Sequence, residues 1–245
     1  MPDGPSISRP TALLIVVAAP SEAAAVRRGM GLEGPARDPV PWQPVPLALG
    51  ADLLLTGVGK ANAAGAVAAT LAAGRHGAVI DLGIAGALPA GSGAAAIGTV
   101  IFAESSVFAD EGVQAQDAFR SLSSMGWGVA PDASDGLAPD QRLAAALRPL
   151  ASVRGPVATV STCSGTDALA VEIVRRTGAV AEAMEGAAVL LAAARAGVPA
   201  AELRVISNTT GDRARQQWDI AAAMTRLAAL AGEVLDAVPT RRPGA

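Results

Sequence analysis

The run ALLIVVAAPSEAAAVRRG, residues 12–29, decides the fold: an unbroken apolar stretch passes directly into an Ala-rich segment of helical character. Apolar residues without alternation suit a strand buried on both faces, as in parallel sheets covered by helices. Working outward, the same unit returns. ADLLLTG (51–57) precedes KANAAGAVAATLAAGR (60–75), and GAVIDLG (77–83), GPVATVS (155–161), GAVAEAM (178–184) and AELRVIS (201–207) are further strand-like runs, the last three each followed by helix-like sequence. GTVIFAES (98–105) adds one more. This alternation predicts an α/β fold, a mixed, mostly parallel central sheet flanked by helices on both faces. A length of 245 residues favours one domain, 1–245. Residues 34–46 and 109–139 read as loops, the second long enough to border a binding site. Residues 1–10 and 239–245 are expected to be mobile tails.

A hydrophobic content of 51% against 17% charged residues excludes a largely disordered chain and supplies a sizeable core. The formal charge is −3, Lys60 is the only lysine and the arginines are scattered, so no basic stripe exists to neutralise phosphates. Nucleic acid is therefore excluded as a partner. Cys163 is the sole cysteine, which rules out a disulfide framework or a cysteine-based zinc site and agrees with a reducing cytoplasm. Arg9 followed by TALLIVVAA imitates the start of a signal peptide, but Asp3 lowers the positive charge and Glu22 falls where small residues should mark cleavage. A first buried strand is the preferred reading. No apolar stretch reaches the ~18 uninterrupted residues of a membrane span.

Several familiar chemistries fail on spacing. GVGKA (57–61) has Leu54 and Ala61 where a phosphate loop needs Gly and Ser or Thr, and Asn62 where a dinucleotide fingerprint needs Gly or Ala. GSGAAA (91–96) fits the looser spelling but leads into a strand instead of a helix. His76 is the only histidine and precedes a strand, so it reads as a surface or turn residue, and neither a Ser-His-Asp triad nor a histidine metal centre can be built. Cys163 has no evident base beside it and reads as a small apolar residue.

Carboxylates and amides at the carboxyl ends of strands remain, on the rim where open α/β sheets bind ligands. Glu22 follows the first strand, Glu185 sits in AMEGAA (183–188) at a strand-to-helix junction, and Asn208 closes ISN (206–208). Each has a bland alternative: Glu22 and Glu185 as acids in a helix's first turn, Asn208 as a cap.

Their order in the chain resembles the purine nucleoside phosphorylase and nucleosidase superfamily. The resemblance extends to GVGKANAA (57–64), LGIAGAL (82–88), the IGTVI strand and VSTCSGT (160–166), and so covers nearly the whole chain. It implies that Glu22 activates water, with Arg204 helping to hold it, and that Glu185 binds the ribose hydroxyls over Met184. Asn208 would face the purine edge, with Ser207 beside it. Ala85 and Gly86, together with Gly165 and Thr166, would complete the binding wall. Neither metal nor organic cofactor is implied; the partners are a small-molecule nucleoside and further copies of the chain, as a dimer or tetramer.

The chemistry fits these residue types. Cleaving an N-glycosidic bond passes through an oxocarbenium-like state, so a base, a hydroxyl clamp and a leaving-group partner are needed. An amide both donates and accepts, so Asn208 suits a 6-oxopurine, presenting a donor to O6 and an acceptor to a protonated N7. Ile84 replaces the small hydroxyl residue that many relatives carry, which disfavours phosphate binding and leans toward hydrolysis. Phe119 and Trp127, in the long loop, either reach a neighbouring subunit's site or pack locally.

Overall fold

A computed structural model describes residues 12–32, 39–47, 50–90, 94–130, 132 and 134–238. The tails expected to be mobile lie outside the described residues, as do residues 91–93 of GSGAAA and residues 34–38 of the first loop. The strands are β1 (Ala12–Val17), β2 (Val45–Pro46), β3 (Ala51–Leu55), β4 (His76–Ala87), β5 (Val100–Phe108), β6 (Gly112–Gln114), β7 (Phe119–Ser121), β8 (Gly136–Leu137), β9 (Val153–Thr159), β10 (Ala181–Ala183) and β11 (Ala200–Thr209). The helices are α1 (Pro20–Gly29), α2 (Lys60–Leu71), α3 (Gln141–Leu147), α4 (Asp167–Thr177), α5 (Gly186–Arg195) and α6 (Ile220–Ala237).

The sheet is mixed and mostly parallel, as the alternation predicts. Its order is β10-β9-β5-β11-β4-β1-β3-β2, with β8 on β5. The pairs β1–β3, β1–β4, β4–β11, β5–β9 and β9–β10 are parallel; β11 meets β5 antiparallel. One further antiparallel pairing, β10 with β4, closes β4, β11, β5, β9 and β10 into a ring. Alternate residues of those five strands, among them Ala85, Ile101, Val157, Ala181, Ala183 and Ile206, form one buried cluster inside it. Ala85, Ala87, Ala103, Ala181 and Ala183 make room for the branched Ile101, Val157 and Ile206, because a ring of this size has little interior volume.

Outside the ring the sheet is open and two-faced. Leu13, Ile15 and Val17 of β1 join the core beneath α1 and α6, whereas Leu14 and Val16 join the core beneath α2 and α5. An apolar run without alternation is the direct consequence of this double burial. Each such side chain contributes roughly 1.5–3 kcal/mol on leaving water.

Ser207 and Asn208 stand at the end of β11, whose last residue is Thr209, as expected. Two local expectations are corrected. The long loop contains the β6–β7 hairpin and β8. His76 is buried at the start of β4, its Nε2 2.9 Å from Asp52 Oδ2, because Asp52 on nearby β3 supplies a partner that the sequence did not announce.

Candidate active site

The carboxyl ends of β1, β4, β10 and β11 deliver the candidate residues, and two glycines of β4 organise them. Around Gly83 the groups are charged. Glu22, in the first turn of α1, accepts N–H bonds through Oε2 from Ala18 (3.0 Å) and Ala19 (2.9 Å), and through Oε1 from Ile84 (2.9 Å). The bland alternative is thus partly realised, since the bond from Ala19 caps the helix start. The bond from Ile84 is different: it fixes the carboxylate over β4, 62 residues away in sequence. A Cβ on Gly83 would collide with Arg204 Nη1 and lie 2.8 Å from Glu22 Oε1, so the absence of a side chain there leaves room for both groups to border one space.

Arg204 is buried and almost fully spent. Its Nε donates to Glu202 Oε1 at 2.7 Å and its Nη2 pairs with Asp81 Oδ2. Nη1 alone remains directed to the site, 3.7 Å from Glu185 Oε2. Burial opposes the guanidinium charge, but Asp81, Glu202 and Glu185 outweigh it and hold its pKa above the ordinary value. Asp81 is pushed well up by burial, against the pull of Arg204 and with the repulsion of Glu202, Glu185 and Glu22. Glu202 is further bonded by the Ser106 hydroxyl.

Glu185 precedes α5 and turns toward α2: its Oε1 accepts from Gly59 N at 2.9 Å and its Oε2 from Met184 N at 3.3 Å. Burial raises its pKa, with Arg204 and the Gly59 N–H opposing. Met184 lines a cavity of about 670 Å³ with Gly59, Lys60, Phe108 and Leu191. Lys60 is held there by Asp110 at 2.5 Å and Glu111 at 3.1 Å.

Around Gly86 the groups are different. A cavity of about 270 Å³ is lined by Gly86, Ser164, Gly165, Glu182, Asn208, Gln216 and Trp218, among others. Asn208 reaches it through an irregularity in β11. Ile206 pairs with Ala85 and faces the ring interior, but Asn208, not Ser207, pairs with Gly86, so the extra residue turns Asn208 onto the opposite face. Re-aiming a side chain is what such a bulge does. Ser207 is buried beneath: its hydroxyl bonds Ala85 O (3.2 Å) and Asn208 Oδ1 (2.9 Å), while Asn208 Nδ2 donates to Thr209 O (2.9 Å). One amide hydrogen and one Oδ1 acceptor site of Asn208 remain open.

Of the residues expected in the binding wall, Gly86, Gly165, Met184 and Asn208 line one or other cavity. Ala85 packs inside the ring, Ser207 orients Asn208, and the Thr166 hydroxyl caps α4 by accepting from Leu169 N. Cys163 is exposed at the cavity rim, because the loop carrying it forms that wall; partial desolvation of its thiol and the charges of Glu182 and Glu185 raise it to about 11, which opposes a nucleophilic role. Phe119 packs locally under Arg176 at 4.2 Å, and Trp127 is exposed. Sequence reasoning missed Asp81, Glu182 and Glu202, although each is an acid interrupting an apolar strand run. Among the described residues no group of three His, Cys, Asp or Glu side chains is arranged to hold a metal ion, and no helix is long and apolar enough to cross a membrane.

Comparison with known proteins gives a consistent result. The family model described as the phosphorylase superfamily matches residues 14–238. A futalosine hydrolase from Acidothermus cellulolyticus is 44% identical over 217 residues, covering 87% of this chain and 86% of the relative. One from Streptomyces coelicolor is 35% identical over 200 residues, covering 79% and 82%. The fold matches the 5'-methylthioadenosine/S-adenosylhomocysteine nucleosidase of Neisseria meningitidis, solved with methylthio-immucillin-A, at a TM-score of 0.72 and 21% identity over 93% of this chain and all of the other.

Proposed function

The chain belongs to the phosphorylase superfamily, and from that premise we propose that it is a nucleosidase that hydrolyses the N-glycosidic bond of futalosine, releasing hypoxanthine and dehypoxanthine futalosine. The two similar futalosine hydrolases support the substrate. The observation that carries the chemistry is that Glu22 Oε1 and Arg204 Nη1 both border the space over Gly83. A carboxylate oxygen and a guanidinium nitrogen facing one space can hold a water between an acceptor and a donor, and the carboxylate then takes a proton as the water oxygen bonds to C1'.

The sequence of events follows from where charge develops. The C1'–N9 bond lengthens first, leaving a cation-like ribose whose 2' and 3' hydroxyls donate to Glu185 while Met184 packs beneath. The bond's electron pair goes to the base, where N7 takes a proton from solvent, matched by the one Glu22 later returns to solvent, and Asn208 donates to O6 and accepts from N7–H. Water attacks C1', Glu22 accepts its proton, and the sugar leaves with a hydroxyl at C1'. Arg204 contributes through Nη1, its other nitrogens being held by Asp81 and Glu202. The reading includes a cytoplasmic homo-oligomer, dimer or tetramer, acting without metal or organic cofactor.

The test is base release from futalosine, inosine and methylthioadenosine side by side, with and without phosphate. Hypoxanthine from futalosine, fastest of the three and unchanged by phosphate, is the expected result. Formation of a sugar 1-phosphate, or faster adenine release, overturns it.

A further inference from the structure

Gly86 has two cross-strand partners. On β11 it pairs with Asn208, and on β10, across the seam that closes the ring, it pairs with Glu182. Glu182 lies between Ala181 and Ala183, both inside the ring, so its own side chain projects to the opposite face, the one onto which the bulge turns Asn208. A carboxylate and an amide therefore flank one glycine on three adjacent strands. Strand spacing puts their backbones about 10 Å apart, and the glycine between them leaves floor space where a side chain would fill it. A Cβ on Gly86 would lie 2.8 Å from the Thr210 methyl, 3.1 Å from Asn208 Nδ2 and 3.6 Å from Glu182 Cγ, so a side chain there would crowd all three.

Glu182 is buried, and among the described residues its carboxylate is bonded by Ser164 alone, whose N–H reaches Oε1 at 2.8 Å and whose hydroxyl reaches Oε2 at 2.6 Å. Each carboxylate oxygen keeps a further acceptor site. No Arg or Lys forms an ion pair with it among the described residues; Arg213, the cation on the same cavity, is stacked on Trp218 at 4.7 Å and donates to Gln216. A buried carboxylate with spare acceptor capacity, facing a cavity, calls for an N–H donor from the occupant.

Resting on the proposed nucleosidase reading, we infer that Glu182 is a specificity-determining residue that accepts the N1–H of a 6-oxopurine while Asn208 takes O6 and N7 of the same base. The pair reads the lactam edge as a unit. A 6-oxopurine presents N1–H to the carboxylate and O6 to the amide hydrogen, each donor meeting an acceptor. A 6-aminopurine presents a bare N1 lone pair to the carboxylate, an acceptor against an acceptor, and is rejected. Ser164 is the positioning residue: its two bonds set the carboxylate plane toward the cavity.

Calorimetric binding of free hypoxanthine, 1-methylhypoxanthine and adenine to the whole protein tests this separately from catalysis. The wild type is expected to bind hypoxanthine at least about 100-fold tighter than 1-methylhypoxanthine, since a site built to bond an N–H rejects an analogue lacking it. In Glu182→Ala that ratio should fall below about 10-fold, because the truncated side chain both drops the acceptor and makes room for the methyl group. Glu182→Gln keeps the shape where the alanine variant fails to fold, and should narrow the gap between hypoxanthine and adenine. Equal wild-type affinity for the first two bases, or unchanged ratios in the variants, overturns the assignment. Hypoxanthine selectivity lost through Glu182 in a protein that leaves futalosine intact would sink the proposed function and leave this inference standing.

Discussion

Gly83 and Gly86 are three residues apart on β4, yet the groups they collect differ in kind. Around Gly83 sit the buried charges Glu22, Arg204, Asp81 and, through Arg204, Glu185 and Glu202. Around Gly86 sit a neutral amide and one carboxylate bonded by serine. The first set is an arrangement for making and stabilising charge: its members are fixed by N–H donors and by one another, which keeps reorganisation during reaction small. The second presents a fixed pattern of donors and acceptors, which discriminates between bases. Rate should therefore depend on the Gly83 region and choice of base on the Gly86 region.

The largest break in that comparison is expected from Glu22→Gln. Removing the proposed general base should lower kcat by about 1,000-fold with KM changed little, read by steady-state hypoxanthine release. Asn208→Asp should act the other way round. Turnover of the hypoxanthine nucleoside should fall by about 100-fold while adenine nucleosides gain relative to it, since the carboxylate no longer donates to O6. Equal losses for both bases would erase the distinction between the regions.

Gly83→Ala sharpens it on the side of stability. The added methyl must displace Arg204 or Glu22, and a cost of about 1–3 kcal/mol in urea unfolding is expected. The acid limb of kcat/KM should lie above the ordinary carboxylate range, because burial raises Glu185 and its ionised form is the one that accepts two ribose hydroxyls. Glu185→Gln should move that limb to lower pH.

The smallest effect is on linkage. The folded-state pKa of Asp81 is raised above its unfolded value of 3.8. The stability associated with its proton is therefore complete below that value and is lost as pH rises through the folded pKa. Asp81→Asn should remove that part of the pH slope in thermal unfolding, by at most about 1.4 kcal/mol per pH unit.

Much of the fold was legible because double burial writes itself into β1 as an unbroken apolar run and into β3 as Leu53, Leu54 and Leu55. The ring was not. Its closure depends on β10, only three residues long, meeting β4 antiparallel, and nothing in GAVAEAM distinguishes that from another parallel strand. Glu22, Glu185, Arg204 and Asn208 were legible through strand-end position and family order. Glu182, Asp81 and Glu202 were not, since an acid inside a strand run declares its burial only when a partner is known: Ser164 for the first and Arg204 for the others. The turn of Asn208 onto the Gly86 face was equally hidden, because a bulge leaves ISN looking like regular alternation.

The central claim is that both glycine-centred groups serve one nucleoside. Titrating Glu22→Gln with futalosine in a calorimeter, while following hypoxanthine, tests it most directly. The account predicts binding at one site per chain with near wild-type affinity, that affinity lost when Asn208→Ala is added, and almost no base released. Wild-type turnover by Glu22→Gln, or binding indifferent to Asn208, would contradict it.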